Sequence, residues 1–89
     1  MQNQKITIIN QLGLHARAAA KLVATASRFE SKVTITKESK TVDAKSIMSV
    51  MMLAASIGTI IVVETHGRDE EAAMQAILDL INDRFGEEQ

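Results

Sequence analysis

The amino-acid sequence predicts an α/β protein of the α+β type, a two-layer open-faced sandwich. Segments rich in β-branched residues alternate with segments rich in alanine and methionine, in the order β-α-β-β-α-β-α. Glycines at positions 13, 58, 67 and 86 lie between or beside these segments, and proline is absent. Four strands and three helices fit an antiparallel sheet that is covered on one face by the helices. We expect residues 1–89 to form a single domain, because 46% apolar and 24% charged residues are typical of a globular chain.

The first two predicted elements are a strand and an alanine-rich helix. Residues 5–9 alternate in a way that is typical of a strand. Residues 15–28 predict a helix, because alanine is the strongest helix former and no breaker interrupts the segment. The side chains expected to face the core are Ile6 and Ile8 of the strand and Ala16, Ala19, Ala20, Val23 and Ala26 of the helix.

The middle of the chain predicts a β-hairpin followed by a second helix. Residues 33–36 and 40–43 alternate and are joined by a short polar turn. Ser46 is a favoured N-cap residue, so we expect a helix over residues 47–56 that is ended by Gly58. The side chains of this helix region expected to face the core are Val50, Leu53, Ala54 and Ile57.

The last third predicts a central strand and a third helix. Residues 59–65 are mostly β-branched, which is typical of a strand buried on at least one face. Acidic residues at 69–71 favour a helix start, and Gly86 stands where a C′ glycine would end that helix. Residues 87–89 are expected to form a frayed acidic tail. The apolar stripe of the helix is Met74, Ile77, Leu78, Ile81 and Phe85.

Composition excludes several classes of function. Cysteine is absent, so thiolate and disulfide chemistry are excluded. A net charge of −1 and only two aromatic residues, both phenylalanine, argue against nucleic-acid binding. No glycine-rich nucleotide loop is present, and the two histidines lack companions at metal-ligand spacing, so we expect neither a cofactor nor a metal. Without a signal peptide or a membrane-spanning run, the chain is expected to be cytoplasmic and is assumed to be monomeric.

His15 is the first candidate functional residue, because it lies at the start of the first predicted helix. The unpaired N–H groups and positive dipole of a helix N-terminus attract anions. They also favour the neutral, nucleophilic form of the imidazole and would stabilise a phosphate added to it. Histidine is not a favoured N-cap residue, which suggests selection for something besides helix stability. The alternative is a plain cap or a surface imidazole.

Two further residues fit a phosphate-binding role. Arg17 lies in the first helical turn, where its charge opposes the dipole, and its planar fork suits a phosphate. The alternative for Arg17 is a solvated helix face. Ser46 would place an added phosphate at the start of the second helix, beside Lys45, although its preference as an N-cap also explains it.

The second predicted helix is apolar nearly all round, which a small domain has little room to bury. Its excess side chains are therefore expected to form an exposed patch that docks partner proteins. Methionine suits a surface that serves several partners, because its flexible side chain repacks easily. The alternative is a larger core than this reasoning assumes. The residues expected in the patch are Ile47, Met48, Met51 and Met52.

These features together resemble the HPr family, the histidine-containing phosphocarriers of the bacterial phosphoenolpyruvate-dependent phosphotransferase system. The resemblance covers essentially the whole chain. The Gly13-Leu-His-Ala-Arg segment is similar to the active-site motif of the family, and Lys45-Ser-Ile-Met is similar to its regulatory-serine region. Length and element order agree as well, which makes the resemblance more specific than either motif alone.

The resemblance implies a phosphoryl carrier that serves sugar uptake rather than a free-standing enzyme. Enzyme I, phosphorylated from phosphoenolpyruvate, would transfer its phosphoryl group to Nδ1 of His15, and an enzyme IIA domain would receive it. Arg17 would help to hold the group, together with the backbone N–H groups of Ala16 and Ala18. Ser46 is similar to the serine that a dedicated kinase/phosphorylase modifies in some bacteria, and the second helix to the partner-docking surface of the family.

Ala18 departs from the family pattern, which usually has proline after the arginine. Alanine adds a backbone N–H near the phosphate and removes a restraint on φ, so altered stability or phosphate lifetime is expected. Two other functions stay open on sequence grounds. One is a carrier of the nitrogen-related branch of the same system. The other is a regulator-only binding module switched at Ser46.

Overall fold

The structure, a computed structural model, describes residues 1–88, so Gln89 of the predicted tail lies outside it. The described residues form one four-stranded antiparallel sheet with helices on one face, as the sequence predicts. The strands are β1 (Gln2–Thr7), β2 (Lys32–Lys37), β3 (Lys40–Asp43) and β4 (Ile60–His66). The helices are α1 (Ala16–Ser27), α2 (Ile47–Met52) and α3 (Glu70–Asn82), followed by a 3₁₀ turn at Arg84–Gly86.

The strand that was predicted to be central, β4, lies between β1 and β2 in the order β1-β4-β2-β3. Its side chains alternate strictly: Ile61, Val63 and Thr65 are buried under the helices. Ile60 begins the other face of the strand and is 61% exposed. β4 is hydrogen-bonded to a strand on each edge, and its inward-facing side chains lie beneath the helices.

Helix α1 buries only part of the face that the sequence predicted, since Ala19 and Ala26 are buried as expected. Ala18, Ala19, Leu22 and Ala26 are fully buried, whereas Ala16 and Ala20 are exposed. The prediction was wrong for those two alanines because alanines occur on several sides of this helix, so their spacing alone does not define one face. Leu22, the largest buried side chain of α1, packs in the core beneath the helix.

Helix α2 is shorter than predicted. It ends at Met52 with Leu53 as its C-cap, and Ala54 then adopts a positive φ of 52°. The sequence predicted a helix over residues 47–56 that is ended by Gly58. It also predicted that Ala54 and Ile57 face the core, which was wrong because both are exposed. The positive φ of Ala54 takes the chain out of the helical conformation, and the carbonyl of Ala55 then accepts a hydrogen bond from the Leu14 N–H at 2.8 Å.

The C-terminal segment reverses direction after α3. Arg84 and Phe85 have positive φ values of 54° and 56°, and the Phe85 side chain is fully buried. Gly86 therefore closes the 3₁₀ turn. The prediction that Gly86 is the C′ residue of α3 was wrong. Burial of a phenylalanine compensates for the local backbone strain of this reversal. The turn redirects the following residues toward the start of α1.

Gly13 fixes the loop that leads into α1. Its φ is +65°, and a Cβ atom there would lie 2.5 Å from the Ala55 carbonyl oxygen and 2.8 Å from Ser56 Cα. The fully buried Asn10 side chain donates to the Gly13 carbonyl at 2.8 Å from the other side. Glycine is required here by both conformation and space, so the loop before His15 is held firmly.

The described helices are all too short or too polar to span a lipid bilayer.

We predict that Gly13→Ala lowers the free energy of unfolding by about 2–4 kcal/mol, the sum of left-handed strain and overpacking. Gly58→Ala is the matched control, because Gly58 also has a positive φ, +85°, but nothing lies within 4 Å of an added Cβ. The control should cost only about 1 kcal/mol. The midpoints of urea unfolding measure the stability loss of each variant, provided that the m-value is unchanged. Equal losses in the two variants would contradict the packing argument.

Candidate functional site

His15 is the N-cap of α1, as predicted, with an extended backbone at φ −73° and ψ 176°. Its carbonyl accepts the first intrahelical hydrogen bond, from the Ala19 N–H at 2.8 Å. The imidazole makes no capping hydrogen bond to the helix. Among residues 1–88, the backbone N–H groups of Ala16, Arg17 and Ala18 have no backbone acceptor, as expected for a first turn. They remain available to an anion bound beside His15.

The imidazole instead contacts a carboxylate from the C-terminal segment. Nε2 of His15 forms a hydrogen bond with Oε2 of Glu87, and the side chains are 29% and 15% exposed. The other carboxylate oxygen of Glu87 accepts from Nδ2 of Asn10 at 3.0 Å. The expectation of a frayed tail was therefore wrong for Glu87. The reason is tertiary: the buried Phe85 turn directs the backbone back, and Lys21 Nζ donates to the Phe85 carbonyl at 2.6 Å.

These hydrogen bonds lower the pKa of Glu87 below its ordinary value. The larger cause is the hydrogen bond from the Asn10 side chain, and the second is the bond with His15. A carboxyl group with a lowered pKa in the folded state stabilises that state above its unfolded pKa. This contribution is lost as the pH falls through the folded value. The C-terminal segment is therefore held to the site by an ionised carboxylate at neutral pH.

An open cleft of about 800 Å³ lies beside His15. Arg17 is exposed at this cleft, and among residues 1–88 its guanidinium forms no ion pair or hydrogen bond. The structure thus brings His15 and Arg17 to one cleft, which the sequence analysis did not predict. An imidazole, a guanidinium and the start of a helix together can accept and hold a phosphoryl group. The cleft is lined by Gln11, Leu12, His15, Ala16, Arg17, Glu87 and Glu88.

Ser46 is the N-cap of α2, as predicted. Its Oγ accepts from the Ser49 N–H at 3.4 Å and donates to Ser49 Oγ at 3.0 Å. Lys45, which was expected to face a phosphate on Ser46, has its Nζ 2.8 Å from the carbonyl oxygen of Phe29. The unmodified structure therefore uses Ser46 to start a helix and Lys45 to hold the end of the α1 segment.

The predicted patch on α2 is exposed. We call it the α2 face, and it comprises Ile47, Met48, Met51 and Met52. Met48 and Met52 are 68% and 63% exposed, and the other two side chains are 40% exposed. Val50 alone among the residues of this helix is buried. A helix that packs on α1 through so few side chains presents an apolar surface next to the element that carries His15.

Sequence reasoning did not identify Glu87 or Asn10 as parts of the site. Asn10 is fully buried, and its Nδ2 links the Gly13 carbonyl to Glu87. A weak signal for Glu87 existed in the sequence, because an acidic residue follows a phenylalanine and a glycine rather than continuing the helix. Contact between positions 72 residues apart depends on the fold, and helix or strand periodicity does not report it.

The described residues thus form a small open-faced sandwich with a histidine as the N-cap of its first helix, beside an open cleft. Residues 2–83 match the family model for the PTS HPr component phosphorylation site. The chain belongs to the HPr family of phosphocarriers of the phosphotransferase system. The resemblance seen in the sequence is thereby confirmed, and the class is that of a carrier protein rather than an enzyme.

Named relatives agree over nearly the full length. The chain is 58% identical over 87 residues to the phosphocarrier protein HPr of Neisseria meningitidis, and 56% identical over 87 residues to that of Cupriavidus necator. Each alignment covers 98% of both chains. These relatives are bacterial proteins, in agreement with the predicted class.

Solved structures confirm the fold. The HPr-C-His structure from Thermoanaerobacter tengcongensis has a TM-score of 0.97 and 47% identity, with both chains covered completely. An HPr structure from Bacillus anthracis has a TM-score of 0.87 and 39% identity, covering 90% of this chain and 95% of that one. The Crh protein of Bacillus subtilis, with a TM-score of 0.76 and 40% identity, covers 93% of this chain and 95% of its own and is a swapped dimer.

We predict that Ser46→Ala lowers the free energy of unfolding by about 0.5–1 kcal/mol, because it removes the cap of a short helix. Ser46→Asp should restore most of this loss, because aspartate is an equally good N-cap and its charge suits a helix start. Urea midpoints of the two variants and the parent protein measure the effect. An alanine variant as stable as the parent, or an aspartate variant no better than alanine, would contradict the capping role.

Proposed function

We propose that this chain, with residues 1–89 acting as one domain, carries a phosphoryl group on His15. It would receive the group from phosphorylated enzyme I and pass it to enzyme IIA domains during sugar uptake in the cytoplasm. The observation that supports this most directly is the position of His15, at a helix N-terminus and at the edge of an open cleft. The proposal requires neither a cofactor nor a metal.

Each residue of the site has a separate proposed task. Nδ1 of His15 is the acceptor atom. The Arg17 guanidinium, exposed at the cleft, would pair with the phosphoryl oxygens. The first-turn N–H groups of Ala16 and Ala18 would donate to the same oxygens. Few groups of this chain surround the phosphate, so a partner protein completes the site during each transfer. We therefore propose that the carrier acts as a monomer that docks to larger proteins in turn.

The α2 face is the proposed docking surface. Its four apolar side chains are exposed next to α1, whose N-cap is His15. A partner bound there would cover apolar area and approach the histidine at the same time. Methionine side chains adapt to partners of different shape, which suits a carrier with one donor and several acceptors.

Ser46 is the proposed regulatory position. A kinase/phosphorylase that modified it would add about −1.5 to −2 charges at the edge of the α2 face. Such a charge favours the helix start but opposes burial of this edge against an acidic or apolar partner. Phosphorylation of Ser46 would therefore weaken docking and slow the transfer to and from His15.

Two other functions make different predictions. A carrier of the nitrogen-related branch would use His15 in the same way but accept phosphate faster from the enzyme I of that branch. Comparison of the two enzymes I as donors separates these cases. A regulator-only module would keep its biological activity in His15→Ala and lose it in Ser46→Ala. The exposed cleft with Arg17 favours the carrier over the regulator, because a regulator does not need a phosphate site at His15.

We predict that incubation with enzyme I and phosphoenolpyruvate adds one acid-labile phosphate, which His15→Ala abolishes. His66→Ala is the matched control, because His66 is the only other histidine and lies exposed at the end of β4. Intact mass spectrometry before and after acid treatment measures the phosphate. The proposal fails if the parent protein gains none from a competent enzyme I, or if the His15→Ala variant gains it equally.

We also predict that Met48→Gln weakens binding of enzyme I and enzyme IIA domains by about 1 kcal/mol, or roughly fivefold in Kd. Ile60→Gln is the control, because Ile60 is similarly exposed but lies on the sheet face away from the helices. Isothermal titration calorimetry measures both. Unchanged affinity in Met48→Gln, or an equal loss in Ile60→Gln, would place the docking surface elsewhere.

A further inference from the structure

We propose that Glu87 is a positioning residue for His15, which holds the proton on Nε2 so that the lone pair of Nδ1 faces the phosphoryl donor. The inference rests on the proposed function of His15 as the phosphoryl acceptor. It assigns a role to a residue of the C-terminal segment that lies outside residues 2–83, the part matched by the family model.

The argument begins with the hydrogen bond between Nε2 of His15 and Oε2 of Glu87. An ionised carboxylate can only accept hydrogen bonds, so Nε2 must carry the hydrogen. A neutral imidazole has one N–H group, and its other nitrogen then holds a lone pair. The lowered pKa of Glu87 agrees with a carboxylate that stays ionised in the folded protein. Nδ1 is consequently the nucleophilic nitrogen of the neutral ring.

The carboxylate is held in place by a buried side chain. Asn10 is fully buried, and its Nδ2 donates to the Gly13 carbonyl at 2.8 Å and to Oε1 of Glu87 at 3.0 Å. The two bonds use both hydrogens of the amide, so the orientation of Asn10 is fixed by the loop that precedes His15. Its Oδ1 is buried without a hydrogen-bond partner among residues 1–88. The side chain of Asn10 thus keeps both donor contacts although its oxygen is left without a hydrogen bond. This indicates that its orientation is set by the contacts with Gly13 and Glu87.

The transfer step can be written with this geometry. The lone pair of Nδ1 forms a new bond to phosphorus, and the bond between phosphorus and the donor protein breaks, with its electron pair returning to the donor. The proton on Nε2 stays in place, so the ring becomes a phosphorylated imidazolium. Glu87 then faces a cation instead of a neutral ring, and their hydrogen bond strengthens as the phosphoryl group arrives. A carboxylate that orients a histidine and stabilises its imidazolium has the same function in hydrolytic triads.

The geometry makes a specific prediction for Glu87→Gln. The amide oxygen of the new glutamine would accept from Asn10, whose orientation is fixed, and its NH₂ group would then face Nε2 of His15. Nε2 would have to accept, which moves the ring proton to Nδ1 and blocks the nucleophile. Glu87→Ala removes both interactions and leaves the ring free to populate both tautomers. Glu88→Gln is the matched control, since Glu88 lines the same cleft but makes no contact with His15 among the hydrogen bonds of residues 1–88.

Long-range ¹H–¹⁵N NMR spectra of His15 test this in the free protein, at a pH where the ring is neutral. We expect the Nε2–H tautomer in the parent protein and in Glu88→Gln, the Nδ1–H tautomer in Glu87→Gln, and a mixture in Glu87→Ala. Retention of the Nε2–H tautomer in a folded Glu87→Gln protein would overturn the inference. So would an Nδ1–H tautomer in the parent. Neither result depends on phosphorylation, so the proposed function is tested separately.

Phosphorylation rates provide the second readout. With enzyme I as donor, Glu87→Gln should slow phosphorylation of His15 by about tenfold or more, as expected from loss of one charge-assisted hydrogen bond. Glu87→Ala should be slowed less, because part of its population keeps the reactive tautomer. A merely structural role would instead slow the alanine variant at least as much as the glutamine variant, and that order would overturn the inference. A parent protein that accepts no phosphate would contradict the proposed function and leave the tautomer result standing.

Discussion

The contact of Gly13 with the Ala55 carbonyl is the constraint on which much of the site depends. It requires a residue without a Cβ, with a left-handed backbone, directly before the segment that begins α1. The Leu14 N–H donates to the same carbonyl at 2.8 Å, so this loop is held against the segment that follows α2. This close approach therefore fixes the loop that precedes His15.

The second requirement of the site is the return of the C-terminal segment. Phe85 is buried in a strained turn, and the stabilisation from its burial keeps Glu87 next to His15. A histidine at a helix N-terminus would otherwise be surrounded by positive potential from the dipole and Arg17. The carboxylate supplies negative charge on the Nε2 side of the ring, while the cleft leaves the positive groups to face an incoming phosphate. In the proposed transfer, opposite charges on two sides of the imidazole would give its two nitrogens different roles.

The site is shallow, which agrees with the proposal that a partner protein completes it. His15 is partly exposed, Arg17 lies at the rim, and the apolar α2 face has no cover within the described residues. A carrier with several partners, as proposed, would need an open site, because a deep pocket would bind the phosphate too firmly and exclude them. Ala18 contributes at the same place: its side chain is fully buried, and its N–H has no backbone acceptor in residues 1–88. The usual proline of the family would lack that donor.

Four features were predictable from the amino-acid sequence: the order of elements, the central β4, the cap residues His15 and Ser46, and the exposed α2 face. These follow from local propensities and from periodicity, which act over a few residues. Three features could not be predicted and depend on the three-dimensional packing: which alanines of α1 are buried, the early end of α2, and the contact between Glu87 and His15. When alanines occur on several sides of a helix, their spacing does not show which side is buried. The hydrogen bond from Leu14 to the Ala55 carbonyl results from long-range packing, which has no local signal in the sequence. The same holds for the buried aromatic turn that brings residue 87 to residue 15.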